Sequence, residues 1–297
     1  MKTKLAVIGS DSFLSIDLVK TLLSDYQITG FSRNNNQKLD KHVVFDYPNT
    51  KIDLYLLLGF DHVIYCAGSG IQAGKGEDFV YELNTYLPIE IALFLNKHSF
   101  KGKYITFGSY AEIGNNSVDR TYTEDELLLS RLPVPNNYCV SKRLLSRFFD
   151  SANLSLQFFH LILPTIYGKG ENPMRLIPYL VSSLASKQKP KLTGGHQKRQ
   201  YIHSKDVATL LGELLQSNDA PAGIYNVPSY ETQLVKDIIA SIYLVMGADD
   251  SLSPDNLQRY DETMKYLELD FTKMKNQFSR WQPTTSILDS IKEYSAE

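Results

Sequence analysis

Short, almost unbroken apolar runs alternate with longer amphipathic stretches through the first half of this chain, and few architectures accept that pattern. Residues 4–8, 27–31, 43–45, 62–66, 103–107 and 155–163 read as strands. Several are apolar at consecutive positions, as parallel strands buried on both faces require. Helical patterns fall between them at 13–24, 52–58, 78–97 and 137–152. The expectation is an α/β fold built on a doubly wound parallel sheet. After Pro164 the pattern changes. Helices at 174–187, 205–216 and 232–246 are separated by extended pieces at 200–202 and 223–227, and residues 249–263 are polar and less regular. Two units are expected: residues 1–165, and a smaller mixed region, 166–297, packed on the carboxyl ends of the strands, from which the chain can cross back to the sheet.

Composition narrows the function classes. The 297 residues carry a formal net charge of −2 with both signs interspersed, which gives no electrostatic case for nucleic acid or an anionic membrane as partner. Cys66 and Cys139 stand far apart and make neither a disulfide framework nor a zinc site, so a cytoplasmic location fits. The six histidines show no ligand spacing, and no metal is expected. The apolar run at residues 5–8 is too short to enter a membrane and reads as a buried strand.

The first strand passes through Val7-Ile8-Gly9-Ser10-Asp11-Ser12-Phe13-Leu14-Ser15 into the first helix. A dinucleotide fold seats its pyrophosphate on that helix N-terminus, where free N–H groups and the helix dipole favour anions. Gly9 fills the first position of a G-x-x-G-x-x-G spacing, while Ser12 and Ser15 replace the other two glycines. Phe13 and Leu14 open the helix beside them. No carboxylate stands near the end of the second strand to bond a ribose 2′-OH. Ser32 and Arg33 stand there instead, a pair that tolerates a 2′-phosphate and leans toward NADP over NAD. Asp46, past the third strand, is placed to meet an adenine. Ala67 and Gly68 end the fourth strand with little bulk where a backbone meets a cofactor.

Tyr138 and Lys142 lie four residues apart on one predicted helix face. A free tyrosine titrates near 10, and a neighbouring ammonium favours its phenolate. The pair is a candidate acid–base group for a carbonyl or alcohol. The spacing is common on ordinary helices, so its surroundings decide.

Those surroundings resemble the extended short-chain dehydrogenase/reductase family, the epimerase/dehydratase group that works on nucleotide sugars with a Rossmann-type cofactor domain. The resemblance spans about residues 4–245. Asp61-His62-Val63-Ile64-Tyr65-Cys66-Ala67-Gly68 is similar to the strand-four motif, and Asn84 matches an asparagine of the following helix. Phe107-Gly108-Ser109-Tyr110-Ala111-Glu112-Ile113-Gly114 resembles the segment carrying the catalytic Ser/Thr, which falls on Ser109. Pro164-Thr165-Ile166-Tyr167-Gly168 is similar to an N-V-Y-G segment, with Thr165 in place of the asparagine that touches the sugar in relatives. The run from Gly195 through Arg199 to Ala208 resembles the block G-x-x-x-R-x-[FY]-[IV]-H-V-x-D-V-A, and Tyr225-Asn226-Val227 the segment YNVG, with Pro228 for its glycine.

The resemblance implies that Tyr138 exchanges a proton with the sugar oxygen. Lys142 lowers the tyrosine's pKa and holds the nicotinamide ribose. Ser109 bonds the reacting oxygen, and Arg199 meets the diphosphate. Gly9, Ser12, Phe13, Leu14, Ser32, Arg33, Asp46, Ala67, Gly68, Asn84, Tyr138, Lys142 and Pro164 then serve the cofactor. Ser109, Tyr110, Thr165 and Arg199 serve the substrate. It also implies a homodimer joined by a four-helix bundle, from helices 78–97 and 137–152, with Leu87, Ile91, Leu95, Leu144, Leu145 and Phe148 able to pack there or against the sheet.

Dehydratases of the family carry an acid one or two positions after the catalytic Ser/Thr. Here those positions are Tyr110 and Ala111. Glu112, three on, points away from Ser109 if the segment is a strand. The expected reaction is reduction of a 4-keto group on a nucleotide-linked deoxysugar by NADPH or NADH, in the supply of cell-surface polysaccharide precursors. A 4-epimerase with tightly held NAD remains the alternative. A non-catalytic NADP sensor is a third reading, favoured by the eroded glycine loop and opposed by the Ser109, Tyr138, Lys142 set.

Overall fold

The computed structural model describes residues 2–70, 76–248, 255–256 and 263–294. Its main sheet has seven parallel strands. In chain order the elements are β1 (Thr3–Ile8), α1 (Phe13–Leu22), β2 (Tyr26–Ser32), β3 (Lys41–Val44), β4 (His62–Tyr65), α2 (Glu77–Tyr81), α3 (Leu87–Lys97), β5 (Lys103–Ser109), α4 (Glu124–Leu128), α5 (Asn137–Ser151) and β6 (Gln157–Leu163). The C-terminal part adds β7 (Thr165–Tyr167), α6 (Leu176–Ala185), β8 (Lys191–Leu192), β9 (Lys198–His203), α7 (Ser204–Gln216), β10 (Gly223–Asn226), β11 (Glu231–Leu234), α8 (Val235–Met246), β12 (Asp255–Asn256), β13 (Tyr266–Leu267), α9 (Thr272–Gln277) and α10 (Ile287–Tyr294). The sheet order is β10-β6-β5-β4-β1-β2-β3. This is the 3-2-1-4-5-6 order of a dinucleotide fold, with a seventh strand returned from the C-terminal part.

The unbroken apolar runs have a simple cause. In β1, Leu5 and Val7 point into one core layer and Ala6 and Ile8 into the other, all four fully buried. Alternate residues of a strand face opposite sides, so a sheet covered on both faces needs apolar residues at every position. Each large side chain so buried contributes about 2 kcal/mol. The first layer packs α1 and α7 against the sheet through Leu18, Leu211 and Phe159; the second packs α3 and α5 through Ile91, Leu95 and Phe149. A separate cluster around Tyr167, Leu180, Ile238 and Ile291 holds the C-terminal elements together. There β9 pairs with β7, β11 and β13 in a small mixed sheet.

Several elements differ from the sequence expectation. The expected helix at 52–58 is a six-residue 3-10 turn, Leu54–Gly59, capped by Asp53, whose side chain accepts from Tyr55 N at 3.0 Å. Residues 232–234 belong to β11, antiparallel to β9, and the helix begins only at Val235. The expected helix 78–97 is interrupted at Glu82–Tyr86 by a π turn, in which Leu87 N–H reaches back five residues to Glu82 O. Most of the polar segment 249–263 lies outside the described residues. Among the described residues, no helix is long and apolar enough to cross a membrane.

Of the residues expected to join a bundle, Leu87, Ile91, Leu95 and Leu145 are buried in the chain's own second core layer, and Phe148 packs partly against it. The apolar side chains that α5, α3 and the π turn leave at the surface are Leu144, Leu93 and Tyr86, 43%, 49% and 57% exposed.

Candidate active site

A cleft of about 550 Å³ opens at the carboxyl ends of β1, β4, β5 and β6. Ser12, Phe13, Leu14, Ala67, Gly68 and Asn84 line it where β1 and β4 end. Ser109, Tyr138, Lys142 and Pro164 line it where β5 and β6 end, with Tyr110, Thr165 and Arg199 beside them. Gly9 is buried behind this surface, and Ser32, Arg33 and Asp46 are not part of the lining.

The loop after β1 depends on Gly9. Its φ is +81°, and a Cβ there would fall 2.4 Å from Ala67 N and 2.6 Å from Ala67 Cα. Only glycine lets this turn pass so close to the end of β4. The two serines that replace the later glycines are absorbed into the loop. Ser15 Oγ donates to Gly9 O at 2.8 Å and shares a 2.9 Å hydrogen bond with Ser12 Oγ. Ser12 Oγ therefore caps no backbone N–H of α1; Ser15 N donates to Ser12 O at 3.0 Å, and the Phe13 and Leu14 N–H groups remain for an anion.

At the end of β2, the Ser32 hydroxyl is committed to the interior. It donates to Asn34 O at 2.8 Å and meets Ser10 Oγ at 2.8 Å and His42 Nε2 at 3.1 Å. Arg33 is exposed and ion-paired to Asp11 at 3.5 Å. The Asp46 carboxylate accepts from Asn49 Nδ2 at 2.8 Å within its own turn. Asn84, in the π turn, clamps the loop after β4: it accepts from Ser69 N at 2.8 Å and donates to Ser69 O at 2.9 Å and Ser141 Oγ at 3.1 Å.

Helix α5 starts at a fixed point because Asn136 Oδ1 accepts from Cys139 N at 3.0 Å. That places Tyr138 in the first turn and Lys142 one turn on. Lys142 Nζ donates to Phe107 O at 2.9 Å, and burial brings its pKa down to about 8. Burial pushes the Tyr138 phenol up to about 12, against the pull of a hydrogen bond with Ser109. The tyrosine is thus a neutral proton donor at pH 7, and the depressed pKa expected from Lys142 is not its state here. Tyr110 Oη and Thr165 Oγ1 are 2.5 Å apart, so the substituted asparagine position is tied to the residue after Ser109. Arg199 is buried, and its Nη1 donates to Lys198 O at 2.9 Å and Lys265 O at 3.2 Å.

Glu112 is not on a strand. Strand β5 ends at Ser109, and Tyr110–Ile113 is a 3-10 turn closed by a capping box. Glu112 Oε1 accepts from Ser109 N at 2.7 Å, and Ser109 Oγ accepts from Ala111 N at 3.3 Å. The carboxyl is fully buried behind the cleft and does not line it.

Arg175 was not anticipated. It lines the cleft at the N-cap of α6, where the helix dipole disfavours a cation. Glu171 compensates with a 3.3 Å ion pair, and Tyr294 of α10 in turn donates to the Glu171 carboxylate. A lone arginine directly ahead of the apolar run 176–181 was the readable signal. Among the described residues that line the cleft there is no Asp or Glu, while Lys142, Arg175 and Arg199 give it three cations. Open donors at the start of α1, and a lining whose charged residues, among those described, are all cations, suit a dinucleotide and a second phosphate-bearing ligand.

Residues 5–227 match the family described as NAD dependent epimerase/dehydratase. The chain belongs to this family, whose reactions are those of nucleotide-sugar enzymes working with NAD(P). No curated protein matches it in sequence. Among solved structures it is similar to UDP-glucuronic acid 4-epimerase from Bacillus cereus, in complex with UDP-glucuronic acid and NAD, at 20% identity and a TM-score of 0.84, covering 99% of this chain and 98% of that one. It is also similar to dTDP-glucose 4,6-dehydratase from Bacillus anthracis, in complex with NAD, at 16% identity and a TM-score of 0.79, covering 98% and 95%. A third is UDP-N-acetylglucosamine 4-epimerase from Methanobrevibacter ruminantium, at 18% identity and a TM-score of 0.81, covering 100% and 99%. At these identities the likeness establishes the fold.

Proposed function

We propose that this protein is an NAD(P)-dependent oxidoreductase that reduces the 4-keto group of a nucleotide-linked deoxysugar. The observation that carries the reading is that the described residues lining the cleft include no acid: Tyr110 and Ala111 follow Ser109, and Glu112 is sealed behind the cleft. Expelling a sugar hydroxyl needs an acid there, whereas reducing a ketone needs one proton donor and an oxygen-binding group. Residues 1–165 would then hold the cofactor and 166–297 shape the substrate side.

The first turn of α1, from Ser12 to Leu14, would take the pyrophosphate, with Gly9 setting the loop; Ala67, Gly68, Asn84 and Pro164 would border the nicotinamide half. When bound, the dinucleotide supplies the hydride. Ser109 holds the ketone oxygen, and Tyr138 gives that oxygen its proton, leaving a phenolate beside the Lys142 ammonium. A phenol at about 12 is a reluctant acid, so the cationic lining has to stabilise the phenolate as it forms. Arg199 and Arg175 are the partners offered to a diphosphate. Arg33, at the end of β2, would turn from its 3.5 Å pairing with Asp11 to a 2′-phosphate and so favour NADP.

The reading predicts that the protein oxidises NADPH in the presence of a 4-keto nucleotide sugar and binds NADPH more tightly than NADH. Tyr138→Phe should lose turnover by at least ~100-fold, the usual scale for a positioned acid, while keeping cofactor affinity. Full activity in that variant would discard the mechanism. The same residues serve a 4-epimerase, and the likeness to the Bacillus cereus 4-epimerase favours that second reading. Purified protein carrying stoichiometric NAD would decide for the epimerase; protein that takes up NADPH and releases NADP would decide for the reductase.

A further inference from the structure

Behind the cleft lies a buried polar cluster that the reaction as described leaves unused. Glu112 Oε1 holds Ser109 N; Glu112 Oε2 is buried with no hydrogen bond of ordinary length, and the Ser146 hydroxyl is the carboxyl's further polar neighbour. Gly108 separates this carboxyl from His160: a Cβ on Gly108 would lie 2.8 Å from both Glu112 Oε1 and His160 Nε2. His160 Nδ1 meets Thr106 Oγ1 at 2.8 Å, and its Nε2 meets Ser146 Oγ at 2.8 Å. Ser146 in turn donates to Lys142 O at 3.2 Å. The cluster thus adjoins two functional groups at once, the Ser109 backbone and the helical turn that carries Lys142.

An apolar residue would fill this space without desolvating a carboxyl, and a capping box needs only an amide at this position. Charge is what glutamate adds. The charged and titratable groups facing it are Lys142, Arg143, Tyr138 and Cys139 from α5, with His160 across Gly108 from β6. Arg143 is drawn in at the turn itself, its Nε donating to Glu112 O at 3.0 Å and its Nη1 to Leu132 O at 2.9 Å.

We propose that Glu112 is a positioning residue that acts through Ser109 and Lys142: its cap fixes the hydroxyl that holds the ketone oxygen, and its charge keeps the lysine protonated. The proposal rests on the Ser109, Tyr138, Lys142 reading. Burial holds Glu112 at about 7 and Lys142 at about 8, so both change charge close to physiological pH. With Glu112 ionised, the ammonium is supported from below; with it protonated, the lysine gives up its proton more easily.

The test separates cap from charge. Glu112→Gln keeps an acceptor for Ser109 N and removes the charge, whereas Glu112→Ala removes both. In Glu112→Gln, kcat measured across pH should keep its plateau within a few fold while its alkaline limb moves to lower pH by about one unit, a tenfold change in the lysine's protonation ratio. Glu112→Ala should in addition lose plateau activity and thermal stability. An unchanged pH profile in Glu112→Gln would reduce Glu112 to a structural cap and overturn the proposal. An independent readout is a 13C-NMR titration of the carboxyl carbons of 13C-glutamate-labelled wild-type protein, which needs no variant to fold. One resonance should titrate near neutrality, apart from those near 4 to 5; a glutamate carboxyl that stays protonated through the range in which Lys142 titrates would equally overturn the proposal. Should Tyr138→Phe remain fully active, the parent reading fails, and the NMR titration still reports whether Glu112 changes charge near neutrality.

Discussion

Glu112 stands three residues after Ser109, and the backbone between them decides what it does. Taken as a continuing strand, the segment turns Glu112 away from Ser109; folded as a 3-10 turn, it brings the carboxyl back onto the Ser109 amide. The turn still leaves the carboxyl sealed off from the cleft, where it cannot protonate a leaving hydroxyl. The turn was readable, since Ser109-Tyr110-Ala111-Glu112 has the Ser-x-x-Glu form of a capping box. The apolar strand ahead of it masked that signal. Tyr138 and Lys142 stood out only through the motifs around their common helical spacing, and their ionisation was not readable, because burial depends on what the rest of the chain stacks over them. Linkage gives Glu112 a sign. Its folded pKa is raised from 4.5 to about 7, so the folded state keeps the proton longer, and stability falls as pH rises between those values. The penalty above pH 7 is about 3 kcal/mol. Glu112→Gln should therefore gain on the wild type by several degrees in Tm between pH 5 and pH 8. Melting curves at the two pH values check this, and a constant difference between the two proteins would contradict it.

At the scale of elements, the π turn at Glu82–Tyr86 shows what periodicity misses. The apolar pattern runs through residues 78–97 without a break, yet Pro88 has no N–H to offer the carbonyl four residues back, that of Asn84. The helix takes up the fault as one wider turn, and this rotates Asn84 onto Ser69 and Ser141. Such turns recur at functional sites. Pro88→Ala should restore the ordinary register, leave helical content equal or higher by circular dichroism, and weaken NADPH binding severalfold in a fluorescence titration. Unchanged affinity would show that Asn84 keeps its place without the π turn. The sheet strands, by contrast, were nearly all legible, because burial on both faces writes itself into consecutive residues. β11 was not: its residues Glu231–Leu234 are only half-buried and blend into the helix that follows.

For the whole molecule, the surface left on the π turn, α3 and α5 bears on assembly. Tyr86, Leu93 and Leu144 stay exposed, while the other apolar side chains of those helices are buried or half-buried. The proposed homodimer would cover them. Leu93→Glu should shift the mass measured by light scattering from dimer to monomer with the fold intact by circular dichroism; a wild-type monomer would refute the bundle. The halves of the molecule are also interleaved. Strand β10 pairs with β6 and completes the main sheet only after α6 and α7 have been made, and Lys103 Nζ on β5 donates to Leu214 O at 2.7 Å and Leu215 O at 2.9 Å at the end of α7.

Tyr294 carries this interleaving furthest. Its hydroxyl accepts from Gly168 N at 2.8 Å and donates to Glu171, the partner of Arg175. On the ribosome, Ser109, Tyr138 and Lys142 emerge more than a hundred residues before this brace can form. A nascent chain would therefore bring the proton-transfer residues together before α10 can brace Glu171, the ion-pair partner of Arg175.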